Sequence, residues 1–196
     1  MDIVIRPLEP GLLEDYLYFF DHVAFSDHPE WSWCYCTFFH IGKEVQEQLD
    51  AGSGGEPTRG SMRNIAVELI NNRKLNGYLA YADGKVVGWC NASDKKNYIR
   101  LCENRDIWSD GGELPVMSVT CFIIAPEFRR RGVASALLDR VVQDASSQGY
   151  RALEAYPAAG ELDCYRHYHG HPAMYEKHGF LPHKQLDGYS VYRKML

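Results

Sequence analysis

Three arginines and a glycine, Arg129-Arg130-Arg131-Gly132, are the residues of this chain whose types and spacing best suit a chemical task. Arginine attracts anions, and glycine leaves the backbone open to close approach. Placed at the first turn of a helix, they would join backbone N–H groups that lack intrahelical partners and the positive end of the helix dipole. That combination makes a pocket for phosphate groups. It is not a P-loop, because no Gly-Lys-Ser/Thr follows the glycine, and a dinucleotide fingerprint would need two further glycines.

The flanking sequence supplies the elements such a pocket needs. Residues 116–124, Val-Met-Ser-Val-Thr-Cys-Phe-Ile-Ile, read as a buried strand. Pro126 ends it, because proline cannot donate to a ladder. From Val133 the period changes: Val133, Ala134, Leu137, Leu138, Val141, Val142 and Ala145 form one apolar stripe at helical spacing. Gly149 is the expected stop. The order is strand, basic turn, helix. Residues 150–156 form another strand stopped by Pro157, and strand–helix–strand order makes the pair parallel.

This stretch resembles motif A of the GNAT acyltransferase superfamily, Arg/Gln-x-x-Gly-x-Gly/Ala, which here reads Arg129-x-x-Gly132-x-Ala134. Downstream, Met174-Tyr175-Glu176-Lys177-His178-Gly179-Phe180 is similar to the family's Tyr-x-x-x-Gly-Phe segment. The resemblance covers residues 75–196 well and the first third only loosely. It implies an α/β fold with a central mixed sheet, flanked by helices, whose parallel strands splay apart to admit coenzyme A. It further implies that Arg129, Arg130, Arg131, Gly132, Val133, Ala134 and Ser135 hold the pyrophosphate of acetyl-coenzyme A, with pantetheine along Phe122, Ile123 and Ile124. The implied activity is acetyl transfer to an amine of a small molecule or peptide by direct attack. A coenzyme A-binding sensor without acceptor chemistry is the alternative.

Acyl transfer from a thioester needs a neutral amine, donors for the oxyanion and a proton for the departing thiolate. By the resemblance, Tyr175 lies near the coenzyme A sulfur and is the candidate proton donor; otherwise it is a packing residue on a helix face. The base is open. Residues 116–124 contain no carboxylate, where some family members carry a glutamate. Glu154 on the neighbouring strand is a candidate, unless it faces solvent or pairs with an arginine. Glu113, a water chain or a histidine are others. Residues 157–171 hold Cys164, His167, His169 and His171, whose alternation in an extended segment puts the three histidines on one side. Their spacing, with Cys34 and Cys36 upstream, matches no standard zinc knuckle, and no metal is expected.

Composition bounds the rest. The chain has 196 residues, 45% apolar and 24% charged, the make-up of one globular domain spanning 1–196. A net charge of −5 argues against a nucleic-acid surface, and no run reaches membrane-span length. The N-terminus does not read as a signal peptide. Six cysteines without such a signal suggest reduced thiols, and hence a cytoplasmic protein, monomer or homodimer.

Elsewhere, residues 2–7 alternate as a first strand. Residues 12–25, 43–49 and 62–71 read as helices, with a loop at 50–60. Residues 78–82 and 85–92 form a hairpin across Asp83-Gly84. Residues 94–112 read as a long connection, 172–178 as a helix and 189–194 as a last strand. The aromatic segment 26–40, with Trp31, Trp33, Phe38 and Phe39, either packs on the core or walls an acceptor pocket.

Overall fold

The computed structural model describes residues 2–52, 59–108, 114–158 and 166–196. Glu113, Cys164 and most of the loop expected at 50–60 lie outside them. The strands are β1 (Ile3–Pro7), β2 (Gly77–Ala82), β3 (Lys85–Asp94), β4 (Val116–Ile124), β5 (Ala152–Ala155), β6 (Leu181–Leu186) and β7 (Tyr189–Met195). They form one mixed sheet in the order β1-β2-β3-β4-β5-β7-β6. The helices are α1 (Leu13–Tyr18), α2 (Lys43–Gly52), α3 (Arg59–Asn71), α4 (Ile99–Glu103), α5 (Arg105–Trp108), α6 (Val133–Ser147) and α7 (Pro172–Lys177).

The hairpin forms where Asp83-Gly84 places it. Both turn residues have positive φ, 50° and 76°, which matches the right-handed twist of the strands they join. Alternation then separates two cores. Leu79, Tyr81, Trp89 and Cys121 point to the side of α1 and α3, where Tyr16 meets Trp89 edge-on at 5.0 Å. Ala80, Cys90, Val119 and Phe122 point to the other side, under Val133, Leu137, Leu138 and Val141 of α6. Among the described residues no helix is long and apolar enough to cross a membrane.

Three elements depart from the sequence reading. The connection at 94–112 contains the short helices α4 and α5. A strand, β6, precedes the last one; besides Pro182 it carries four polar or exposed positions, so it lacks the alternation of a half-buried strand. The histidine segment is not extended: Arg166–His169 is a 3-10 turn. With about three residues per turn, alternate side chains no longer share a side.

Candidate active site

β4 and β5 run parallel for only four residues, Val116–Val119 against Ala152–Ala155. β5 then stops at Tyr156-Pro157, while β4 continues to Ile124 along β3. The strands therefore part on the side where a ligand would lie against β4. The parting coincides with a bulge. Asn91 faces Cys121 and Ala92 faces Val119, which leaves Thr120 as an extra residue. A bulge re-aims side chains locally. Here Cys121 packs into the α1–α3 core and Phe122 into the α6 core, with Thr120 wholly buried between strands.

The basic turn follows directly. Arg130 and Gly132 both adopt positive φ, 62° and 85°, and Gly132 is the N-cap of α6. No side chain caps that helix. A Cβ on Gly132 would meet nothing within 4 Å, so the space above the first-turn amides is open. An anion fits there as a capping group would. Arg130 and Arg131 are exposed beside it. Arg129 is engaged elsewhere: its Nε donates to the Ile124 carbonyl at 3.1 Å and its Nη1 to Asp27 at 2.5 Å. Burial raises the Asp27 pKa, but the hydrogen bond and charge of Arg129 outweigh it and lower the pKa overall.

Tyr175 lies at the centre of α7, fully buried, with its ring against Phe122 of β4 and Phe180. Its hydroxyl donates to the His169 carbonyl at 2.5 Å. Burial pushes its pKa well above the ordinary phenol value, so it stands as a protonated donor. Gly170 makes this contact possible. Its φ is +80°, and a Cβ there would sit 2.8 Å from the Tyr175 oxygen. His169 turns in beneath β4, where its Nδ1 lies 2.8 Å from the Thr120 carbonyl. His171 instead accepts from the Ala173 amide at the start of α7. His169 and His171 thus have different partners, and the His167 ring lies 5.8 Å from that of His171.

Glu154 is not in an open cleft. It is fully buried and accepts from Lys95 at 2.7 Å, from Arg193 at 2.6 and 3.0 Å, and from Tyr156 at 3.0 Å. Burial raises its pKa, and Lys95 and Arg193 more than reverse that, leaving it below the ordinary value. Such a carboxylate is a fixed anion with its lone pairs taken, which suits an architectural role rather than proton abstraction. The Tyr156 hydroxyl donates to Glu154, so Ser118 must donate to Tyr156 across 2.7 Å. Tyr98 donates to Asn91, and Asn91 to the Cys36 carbonyl. Sequence reasoning missed this buried polar band on the face of β3, β4 and β5 away from α6. A polar residue at a strand position that should be apolar, Asn91 above all, was the available signal. Cys34, Cys36, Cys90, Cys102 and Cys121 are free thiols. Among the described residues no group of three His, Cys, Asp or Glu is arranged to hold a metal ion.

The segment 26–40 packs on the core, the first of the two readings offered for it. Tyr35 and Cys36 are buried in the α1–α3 core. Phe39 meets the His169 ring edge-on at 5.8 Å and Tyr98 at 6.5 Å.

The acetyltransferase (GNAT) family model matches residues 38–180. The chain belongs to the GNAT acetyltransferase family. Aminoglycoside N(6')-acetyltransferase type 1 of Salmonella typhimurium is 28% identical over 86 residues, 44% of this chain and 53% of that protein. The chain thus spans about half the length of the curated relatives it matches. Among solved structures, the PaiA N-acetyltransferase of Thermoplasma acidophilum in complex with coenzyme A superimposes with a TM-score of 0.55 at 16% identity, with both chains fully covered. A mosquito arylalkylamine N-acetyltransferase like 5b gives 0.59 at 13%, again over both whole chains. These likenesses show the GNAT fold. Acetyl-coenzyme A is the co-substrate of the family, and the open, uncapped first turn of α6 fits its phosphates.

Proposed function

We propose that this chain, as a single domain over residues 1–196, transfers the acetyl group of acetyl-coenzyme A to an amine of a small molecule or peptide. The observation that carries this reading is the parting of β4 and β5 beside an uncapped helix start. Backbone amides of residues 130–135, assisted by Arg130 and Arg131, bind the diphosphate. Phe122, Ile123 and Ile124 offer strand edge to the pantetheine arm. Arg129 acts as a tie that fixes the end of β4 rather than as a phosphate ligand.

The amine attacks the thioester carbonyl carbon, and the C–S bond breaks as the C–N bond forms. The thiolate then needs a proton. Tyr175 is the candidate donor, since it is buried, protonated and packed against Phe122. To act it exchanges the His169 carbonyl for the sulfur. Glu154 holds the sheet together beneath the site and takes no proton. The test is free-thiol release from acetyl-coenzyme A by the purified protein over a panel of primary amines. Acceptor-dependent release is expected. Release no faster with any amine than without would refute the reading and favour a coenzyme A-binding module.

A further inference from the structure

We infer that His169 is the general base of this acetyl transfer, taking the amine proton on Nε2 while its Nδ1–H is pinned to the bulge of β4. This rests on the acetyl-transfer reading above.

The geometry fixes the tautomer. The Thr120 oxygen lies 2.8 Å from Nδ1 and, being a carbonyl, can only accept. Nδ1 therefore carries the hydrogen, and Nε2 of the neutral ring carries the lone pair. Nε2 has no hydrogen-bond partner among the described residues, and His169 as a whole is partly exposed. The ring packs against Tyr168 at 4.1 Å and meets Phe39 edge-on at 5.8 Å. The base thus sits at the point where β4 and β5 part, the gap to which the reading above assigns the thioester.

Charge considerations agree. Burial lowers the His169 pKa to about 4, against a raising effect of the Thr120 carbonyl. The ring is therefore neutral at physiological pH. A base this weak does not strip a free ammonium ion. It suits the nitrogen once bonding to the acetyl carbon has made that nitrogen far more acidic. The proton passes to Nε2, the electron pair of the C–S bond leaves with sulfur, and the thiolate takes a proton from Tyr175. The imidazolium formed is stabilised through Nδ1–H to the Thr120 carbonyl. The products are the acetamide and coenzyme A with no net proton released: the proton held on Nε2 balances the one that Tyr175 gave, and its passage back to the phenolate through solvent resets both groups. The titratable groups around the ring are Tyr168 on its own turn, Tyr175 on α7, Cys121 beside Thr120, and Tyr98 beyond Phe39. Burial raises the pKa of Tyr175, Cys121 and Tyr98 well above ordinary values, so these three stay uncharged across neutral pH.

His169→Asn isolates the role. An asparagine amide can still donate to the Thr120 carbonyl from near the Nδ1 position, and the backbone carbonyl that holds Tyr175 is untouched. Only the Nε2 lone pair is lost. On an amine that the wild type acetylates, kcat should fall on the order of a hundredfold or more, with coenzyme A affinity by calorimetry unchanged. The wild-type kcat/KM profile should show no acid limb near the ordinary histidine value of about 6.5. His169→Ala should regain turnover with added imidazole. A folded His169→Asn enzyme within a few-fold of wild-type kcat overturns the assignment alone. So does a His169→Ala enzyme that imidazole does not restore. A wild type inactive on every amine overturns the acetyl-transfer reading and this assignment with it.

Discussion

Replacing Glu154 by glutamine separates an architectural carboxylate from a catalytic one. The side chain keeps its shape but loses its charge, and one oxygen becomes an NH2 donor. That donor must face either Lys95 at 2.7 Å or Arg193 at 2.6 Å, both cations that are themselves largely buried. Breaking a buried ion pair by neutralising one partner costs about 3–5 kcal/mol, because the remaining charge stays desolvated. For a chain of this length each kcal/mol lowers Tm by about 2–4 °C, so roughly 6–20 °C is expected. The pH dependence has a definite sign. The folded pKa of Glu154 lies below its ordinary value, so its contribution is full above that ordinary value and disappears as pH falls through the lowered one. The wild type should therefore exceed Glu154→Gln in urea resistance at neutral pH, with the gap closing below about pH 4. Urea titrations at the two pH values measure this. A Glu154→Gln protein as stable as wild type at neutral pH, yet inactive, would refute the reasoning and return Glu154 to the role of base.

Two further outcomes are expected. Gly132→Asp puts a negative side chain into the open space over the first turn of α6 and should abolish coenzyme A binding in calorimetry, while Arg130→Ala and Arg131→Ala should weaken it and reduce its salt dependence. Unchanged affinity in a folded Gly132→Asp protein would place the phosphates elsewhere. Tyr175→Phe keeps the ring against Phe122 and removes only the hydroxyl; kcat should fall on the order of a hundredfold with acetyl-coenzyme A binding nearly intact, and wild-type kcat would mark the tyrosine as structural.

The parts of this molecule that local rules govern were legible. Asp83-Gly84 announced a hairpin, and the change of period at Val133 announced the strand–turn–helix unit, because each signal lies within a few residues of what it specifies. The parts that were not legible depend on partners far along the chain. Nothing local marks Thr120 as an extra residue in the β4 ladder, since a bulge is defined by the strand opposite. Glu154 looked available until Arg193, 39 residues later, and Lys95 claimed its oxygens. Arg129 looked like a phosphate ligand until Asp27, 102 residues earlier, met it. His169 was read in an extended segment, and the 3-10 turn that aims it at Thr120 has no periodic signature.

The Arg129 tie has a consequence for how the two substrates sense one another. One guanidinium grips the carbonyl that ends β4 and the carboxylate of Asp27, at the head of the segment that brings Phe39 to His169. Displacing either end strains the other, so under the proposed reading occupancy on the phosphate side would be thermodynamically linked to occupancy on the acceptor side. Linkage is reciprocal: whatever factor the nucleotide imposes on amine affinity, the amine must impose on the nucleotide. Both ends of the pair are about one-third exposed, so salt loosens the tie. Ionic strength would then act on any coupling between the two sides as well as on phosphate attraction.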